Sequence, residues 1–219
     1  MAEKAHGRFI VFEGIDGSGK STQIALLCEK LRDMGHKVYM TAEPTASVSG
    51  GMLRDALSGV RHRTPCELAA LFLLDRINHN VNPVNGIEKM LGDGFDVISD
   101  RYYYSSLAYQ GSETGDGWVR DMNLECPEIR RPDLCVFLDL TPDASLARIG
   151  KGRAVTEIYE EKDKLEATRK AYFEVFDQLR KKGENIKIID ADRAIEDIAK
   201  DIFDAVLRID DADCAKQRI

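Results

Sequence analysis

The apolar run RFIVFEG (Arg8 to Gly14) leads without a break into GIDGSGKS (Gly14 to Ser21), and a helical pattern with Ile24, Leu27 and Leu31 on one face follows at once. Strand, glycine-rich loop and helix in that order leave few folds open. The glycines let successive backbone N–H groups turn inward, and the helix start adds the positive end of its dipole, so the loop becomes a cradle for an anion. The spacing G-x-x-x-x-G-K-S in this setting is that of a phosphate-binding loop. Its residues Gly14, Ile15, Asp16, Gly17, Ser18, Gly19, Lys20, Ser21 and Thr22 are expected to hold the phosphates of a nucleotide. Lys20 is placed to reach the terminal phosphates, and the Ser21 hydroxyl to ligate Mg2+.

Four more apolar runs follow: KVYMTAEP from Lys37, FDVISD (Phe95 to Asp100), LCVFLDL (Leu134 to Leu140) and NIKIID (Asn185 to Asp190). Stretches of helix length separate them, at Gly50 to Leu57, Pro65 to Met90 with a break near Pro83, Ser105 to Tyr109, Asp143 to Ile149, Glu157 to Lys181 and Ala194 to Ile209. Apolar strands alternating with helices predict an α/β chain, with a parallel sheet covered by helices on both faces. There is no internal repeat, and the tail DDADCAKQRI (210–219) is expected to fray.

A chain of 219 residues, 43% of them hydrophobic, can bury one sizeable core, so a single domain over 1–219 is expected. A formal net charge of −7 disfavours nucleic acid or a membrane surface as the main partner, while a small nucleotide needs only a local basic pocket. No apolar run approaches the roughly 20 residues that span a bilayer, which points to a cytoplasmic protein. The five cysteines are scattered and odd in number, and read as small buried hydrophobes rather than a zinc site or disulfide framework. The basic cluster VRHRTP reads as surface.

The loop alone does not separate a kinase from a mechanical ATPase, although the absence of an N-K-x-D signature disfavours a GTPase. The stretch SDRYYYSSLAYQG (Ser99 to Gly111) adds chemistry at the C-terminal end of the third strand, the sheet edge at which open α/β folds bind ligands. Asp100 suits an acid that holds Mg2+ through water, and Arg101 a phosphate clamp; the same pair also suits an ion pair or a helix cap. Ser105, Ser106, Tyr109 and Gln110 fall one turn apart and can face one cleft.

The acid-arginine-tyrosine run followed by S-S-x-A-Y-Q, together with FEGIDGSGKST, resembles the thymidylate kinases, and the order of motifs matches over nearly the whole chain. The resemblance implies a three-layer P-loop NTPase fold, with a five-stranded parallel sheet in the order 2-3-1-4-5 and a short lid at about 148–162. It implies phosphorylation of dTMP to dTDP by ATP with Mg2+, in a homodimer. In the family the matching phenylalanine stacks on thymine and the matching arginine holds the base, which assigns Phe72 and Arg76. A bare Phe and Arg at this spacing would otherwise read as core beside solvated surface.

By the same resemblance Glu43 lies near the phosphate site, Arg54, eleven residues on, grips the dTMP phosphate, and Tyr109 excludes a ribose hydroxyl beside Gln110. Arg153 is the expected lid finger on the transferring phosphoryl group, Arg148 flanks the adenine, and Lys151 has a weaker claim. Arg193 with Asp192 adjoins the adenine or caps the last helix. Asp16 is expected to hold Arg101 and the acceptor side rather than act as a base, since a phosphate oxygen is already a competent nucleophile. The chain departs from a common family pattern at Ala42, where many relatives carry arginine, at Thr45 and Ala46 after the proline, and at Gly17, where some carry arginine. Two alternatives stay open on the residues: a uridylate or cytidylate kinase that differs only in the base pocket, and an ATP-driven switch without kinase activity. A deoxynucleoside kinase fits less well, because it needs a carboxylate base and the strand here ends in D-R-Y.

Overall fold

The computed structural model describes residues 7–114, 116–149 and 162–216. In chain order these form β1 (Phe9–Glu13), α1 (Lys20–Asp33), β2 (Lys37–Ala42), α2 (Val48–Leu57), α3 (Pro65–Val81), α4 (Ile87–Gly92) and β3 (Phe95–Asp100). There follow α5 (Tyr103–Tyr109), α6 (Gly111–Thr114), α7 (Asp116–Leu124), β4 (Leu134–Asp139), α8 (Pro142–Ile149), α9 (Lys162–Lys181), β5 (Ile186–Asp190) and α10 (Ile195–Lys216).

The five strands make one parallel sheet in the order β2-β3-β1-β4-β5. The register aligns the strand ends that matter: Phe12 and Ala42 both lie beside Asp100, and Glu13 beside Phe137. Two cores cover the two faces of the sheet. One packs Ile24, Leu27 and Leu31 of α1 with Ile198, Ile202 and Val206 of α10 against Ile10, Ile98 and Val136. The other gathers Tyr102, Tyr103 and Tyr104 with Tyr172 and Phe176 of α9 against Phe9, Val97 and Phe137. Alternate residues of one strand thus feed opposite cores, as period-two side chains must.

The start of α3 follows its local chemistry: Thr64 and Glu67 form a reciprocal capping box with Pro65 at the first helical position. The expected break near Pro83 separates α3 from α4. Two short helices, α6 and α7, were not expected, because glycines punctuate 111–117 and Val119 and Leu124 are the buried apolar residues of the pair. Helix α10 runs to Lys216, so most of the tail expected to fray is helical backbone. Cys28 and Cys135 are buried as expected, whereas Cys66 is exposed at the start of α3. Among the described residues no helix is long and apolar enough to cross a membrane.

Candidate active site

The phosphate loop sits between the end of β1 and α1, with Gly14, Gly17 and Gly19 all at positive φ. Glycine is required at 14, where an added Cβ would meet the Ser18 Oγ at 2.6 Å and the Leu138 carbonyl at 2.8 Å. Lys20 is buried and folded back over its own loop, donating to the carbonyls of Gly14 at 3.1 Å and Ile15 at 3.3 Å. Burial, with Arg101 adding repulsion, lowers its pKa to about 8 against the opposing pull of Asp100, Asp16 and Glu13. From α8, Ser145 donates to the Asp16 carbonyl at 2.6 Å and so holds the loop from outside.

The end of β3 meets the loop here. Arg101 adopts a left-handed backbone, φ 70, and its Nη2 donates to Asp16 Oδ1 at 2.5 Å. Its Nη1 donates to Ser105 Oγ at 3.1 Å and to the Tyr172 hydroxyl at 3.3 Å, and the guanidinium lies 5.6 Å from the Tyr109 ring centre. Behind it is Glu13, 0% exposed at the end of β1. Its carboxylate accepts from the Tyr102 and Ser105 amides at 2.9 and 3.2 Å, from Ser105 Oγ at 2.7 Å and from the Tyr172 hydroxyl at 2.8 Å. Burial raises the Glu13 pKa above the ordinary value, opposed by Arg101 and by these hydrogen bonds.

A second charged cluster forms around Arg76 of α3, which is 1% exposed. Glu43 Oε2 accepts from Arg76 Nε at 2.9 Å and Nη2 at 2.6 Å, while Glu43 Oε1 lies 3.0 Å from His79 Nδ1. Asn123 Oδ1 accepts from Arg76 Nη1 at 2.5 Å and Ser106 Oγ from Nη2 at 3.2 Å. Glu43 is therefore a buried counter-ion of Arg76 and a hydrogen-bond partner of His79, a role that its expected place near the phosphate did not disclose. Phe72, one turn before Arg76, is half-buried. Gln110 is buried with an Oε1 that has no hydrogen-bond partner among the described residues, an acceptor still open in the wall formed by α5.

The loop after β2 is anchored by Asp75, which accepts from the Thr45 amide at 2.8 Å and from the hydroxyls of Thr45, Ser47 and Ser49. Burial works against the Asp75 charge, but these donors outweigh it and keep its pKa below the usual value. Arg54 of α2 donates to the Thr45 carbonyl at 2.6 Å. Arg54, Ser21 and Asp100 line one cavity of about 760 Å3, which opens between α1, β2 and α3. Asp100 Oδ1 is buried without a hydrogen-bond partner among the described residues, and the Ser21 side of the cavity is exposed. These two oxygen groups fit the chemistry of an Mg2+ ion.

At the far side of the loop, Arg148 of α8 donates to the Ala191 carbonyl at 2.9 Å and lies 3.5 Å from Asp192, beside the turn after β5. Arg193 instead donates to Asp201 at 2.6 Å and to the Asp190 carbonyl at 3.1 Å, so its observed partners tie the start of α10. Lys151 and Arg153, the expected lid residues, lie outside the described residues.

The structure thus brings Asp16, Lys20 and Arg101 together, groups Arg76 with Ser106, and turns Ser105 towards Glu13 and Arg101 rather than only into the cleft. It adds Glu13, His79, Asn123, Ser145 and Tyr172, which sequence reasoning missed. Of these only Glu13 carried a signal, as an acid closing an otherwise apolar strand.

A family model described as thymidylate kinase matches residues 12–202. A protein of Thermococcus gammatolerans named "Probable thymidylate kinase" is 39% identical over 210 residues, covering 91% of this chain and 96% of that protein. One of Pyrococcus horikoshii with the same name is 39% identical over 203 residues, with coverages of 90% and 94%. A "Thymidylate kinase" of Brachyspira hyodysenteriae is 37% identical over 169 residues, with coverages of 76% and 79%. With its phosphate loop, its acid-arginine strand end and its buried Arg76 in the matched region, the chain belongs to the thymidylate kinase family.

Proposed function

We propose an assignment of roles for the reaction of this family member, transfer of the γ-phosphoryl group of ATP to dTMP to give dTDP. The observation that carries it is the bond between Asp16 in the phosphate loop and Arg101 at the end of β3. It joins the place for the donor to the place for the acceptor.

Phosphoryl transfer needs positioning and charge compensation more than covalent help. The amides from Gly14 to Thr22 and the Lys20 ammonium hold the ATP phosphates, and Arg148 lies against the adenine. Ser21 and Asp100 would hold Mg2+, which would supply charge neutralisation at the phosphates. Arg101 and Arg54 hold the dTMP phosphate, and Phe72 covers the base. Arg76, whose other donors are engaged, keeps one Nη1 hydrogen for a base carbonyl; being a donor only, it favours thymine over a base with an amino group there. Tyr109 and Gln110 close the sugar end. Arg153 adds positive charge at the transferring group, and Arg193 has a supporting place by the adenine turn.

We place the reaction in the cytoplasm and the chain in a homodimer, supported by exposed apolar residues on α2 and α3, among them Val48, Met52, Leu74 and Val81. ADP release measured across dTMP, dUMP, UMP, CMP and GMP tests the assignment. The expected result is release that depends on the monophosphate and is fastest with dTMP. Preference for UMP or CMP would move the chain to another pyrimidine kinase, and slow release indifferent to any monophosphate would mark a switch.

A further inference from the structure

We infer that Tyr172 of α9 and Glu13 of β1 form a buried brace that sets the position of the Arg101 guanidinium, which makes Tyr172 a positioning residue for the acceptor phosphate. This rests on the reading of Arg101 as the acceptor clamp.

A carboxylate can only accept, and Glu13 is met by four donors: two backbone amides and the hydroxyls of Ser105 and Tyr172. Each hydroxyl has a single proton and gives it to Glu13 Oε2, from which the two hydroxyl oxygens lie 2.7 and 2.8 Å. Their oxygens are then left to accept, and Arg101 Nη1 donates to both, at 3.1 and 3.3 Å. The two hydroxyls lie 2.9 Å apart and act as parallel relays between a cation and an anion that do not touch. On its other side Nη2 is tied directly to Asp16. The guanidinium is thereby fixed at both ends, from the loop and from the floor of the sheet.

The setting makes the brace stiff. Tyr172 is 0% exposed, its ring lies 4.9 Å from that of Phe137 and 5.6 Å from that of Phe176, and Tyr109 meets it edge-on at 6.1 Å. A ring so packed needs no hydroxyl for the core, and here the hydroxyl points at an arginine with a left-handed backbone conformation. Arg101 carries that φ of 70 at the end of β3, where the brace and Asp16 together define where its side chain goes.

The test is kinetic. Tyr172→Phe keeps the ring and removes the relay. The expected result is a fall of about tenfold or more in kcat/KM for dTMP, with the KM for ATP held within about twofold, since one hydrogen bond to a charged group is lost. In an Arg101→Lys background the same change is expected to have no further effect on dTMP, because the fork that it positions is gone. Ser105→Ala removes the other relay while leaving Glu13 its remaining donors, and carries the same expectation if Tyr172→Phe does not fold. A lowered melting temperature with unchanged dTMP kinetics, or effects that multiply in the double variant, would show Tyr172 to be core packing only. If Arg101→Lys itself leaves dTMP kinetics unchanged, the clamp reading fails and the brace with it; if Arg101→Lys is severe and Tyr172→Phe silent, the brace alone fails.

Discussion

Asp16 Oδ1 lies 2.5 Å from Arg101 Nη2, so a residue of the phosphate loop and a residue just past the end of β3, 85 positions apart, share one ion pair. Both side chains are about one-fifth exposed, which keeps the pair partly screened. In the proposed roles the carboxylate orients the guanidinium and does not act as a base. Asp16→Ala is therefore expected to lower kcat by about ten- to a hundredfold, the worth of a charged hydrogen bond, while the KM for ATP moves little. Steady-state kinetics with each substrate varied in turn check this, and equal losses for both substrates would remove the role.

Lys20 gives a pH dependence with a definite sign. In the free protein its pKa is lowered to about 8, first by burial and then by Arg101. ATP phosphates favour the charged form and so raise that pKa, which means that ATP binding takes up a proton wherever free Lys20 is neutral. Affinity for ATP should be flat below about pH 8 and weaken above it, approaching tenfold per pH unit. Calorimetric titrations across pH 7 to 10 in buffers of different ionisation enthalpy measure both the slope and the proton. Lys20→Arg, always charged, should abolish the slope.

The Tyr109 ring is held between the Arg101 guanidinium and the perpendicular Tyr172 ring, so it presents a wall rather than a mobile side chain. If that wall excludes a ribose hydroxyl, Tyr109→Ala should narrow the rate ratio between dTMP and its ribose analogue by about tenfold or more. An unchanged ratio would assign the ring to packing around Arg101 instead.

Much of this arrangement was legible along the chain, for physical reasons that differ from residue to residue. The phosphate loop is local: its glycines, Lys20 and the α1 pattern are contiguous, so spacing alone disclosed them. The Asp16 and Arg101 relationship spans the sheet, yet β1 and β3 are neighbours in it, and the role of each end was implied by the family resemblance. Glu13 and Tyr172 are 159 positions apart, and a tyrosine one turn before Phe176 on an amphipathic helix reads simply as core. Its hydroxyl is what matters, and periodicity does not register a hydroxyl. Helices α6 and α7 were hidden because short glycine-flanked segments take their structure from contacts made elsewhere, such as the bond from Arg76 to Asn123.

That bond belongs to the cluster with the largest expected effect on stability. Arg76 and Glu43 are 1% and 2% exposed in their side chains, and His79 shares the same carboxylate. Removing one member of such a group leaves the other charge buried without its partner, which costs about 3–5 kcal/mol. Glu43→Ala should therefore lower unfolding free energy by about that amount in urea titrations, and, if Arg76 binds the base as proposed, also raise the KM for dTMP, because Arg76 loses its two bonds to Glu43. Glu43→Gln keeps an acceptor for Arg76 and should retain more of both. Loss of stability with an unchanged KM would make the cluster a structural buttress of α3 and detach Arg76 from base recognition, whereas loss of both together ties the buried ion pair to the choice of substrate.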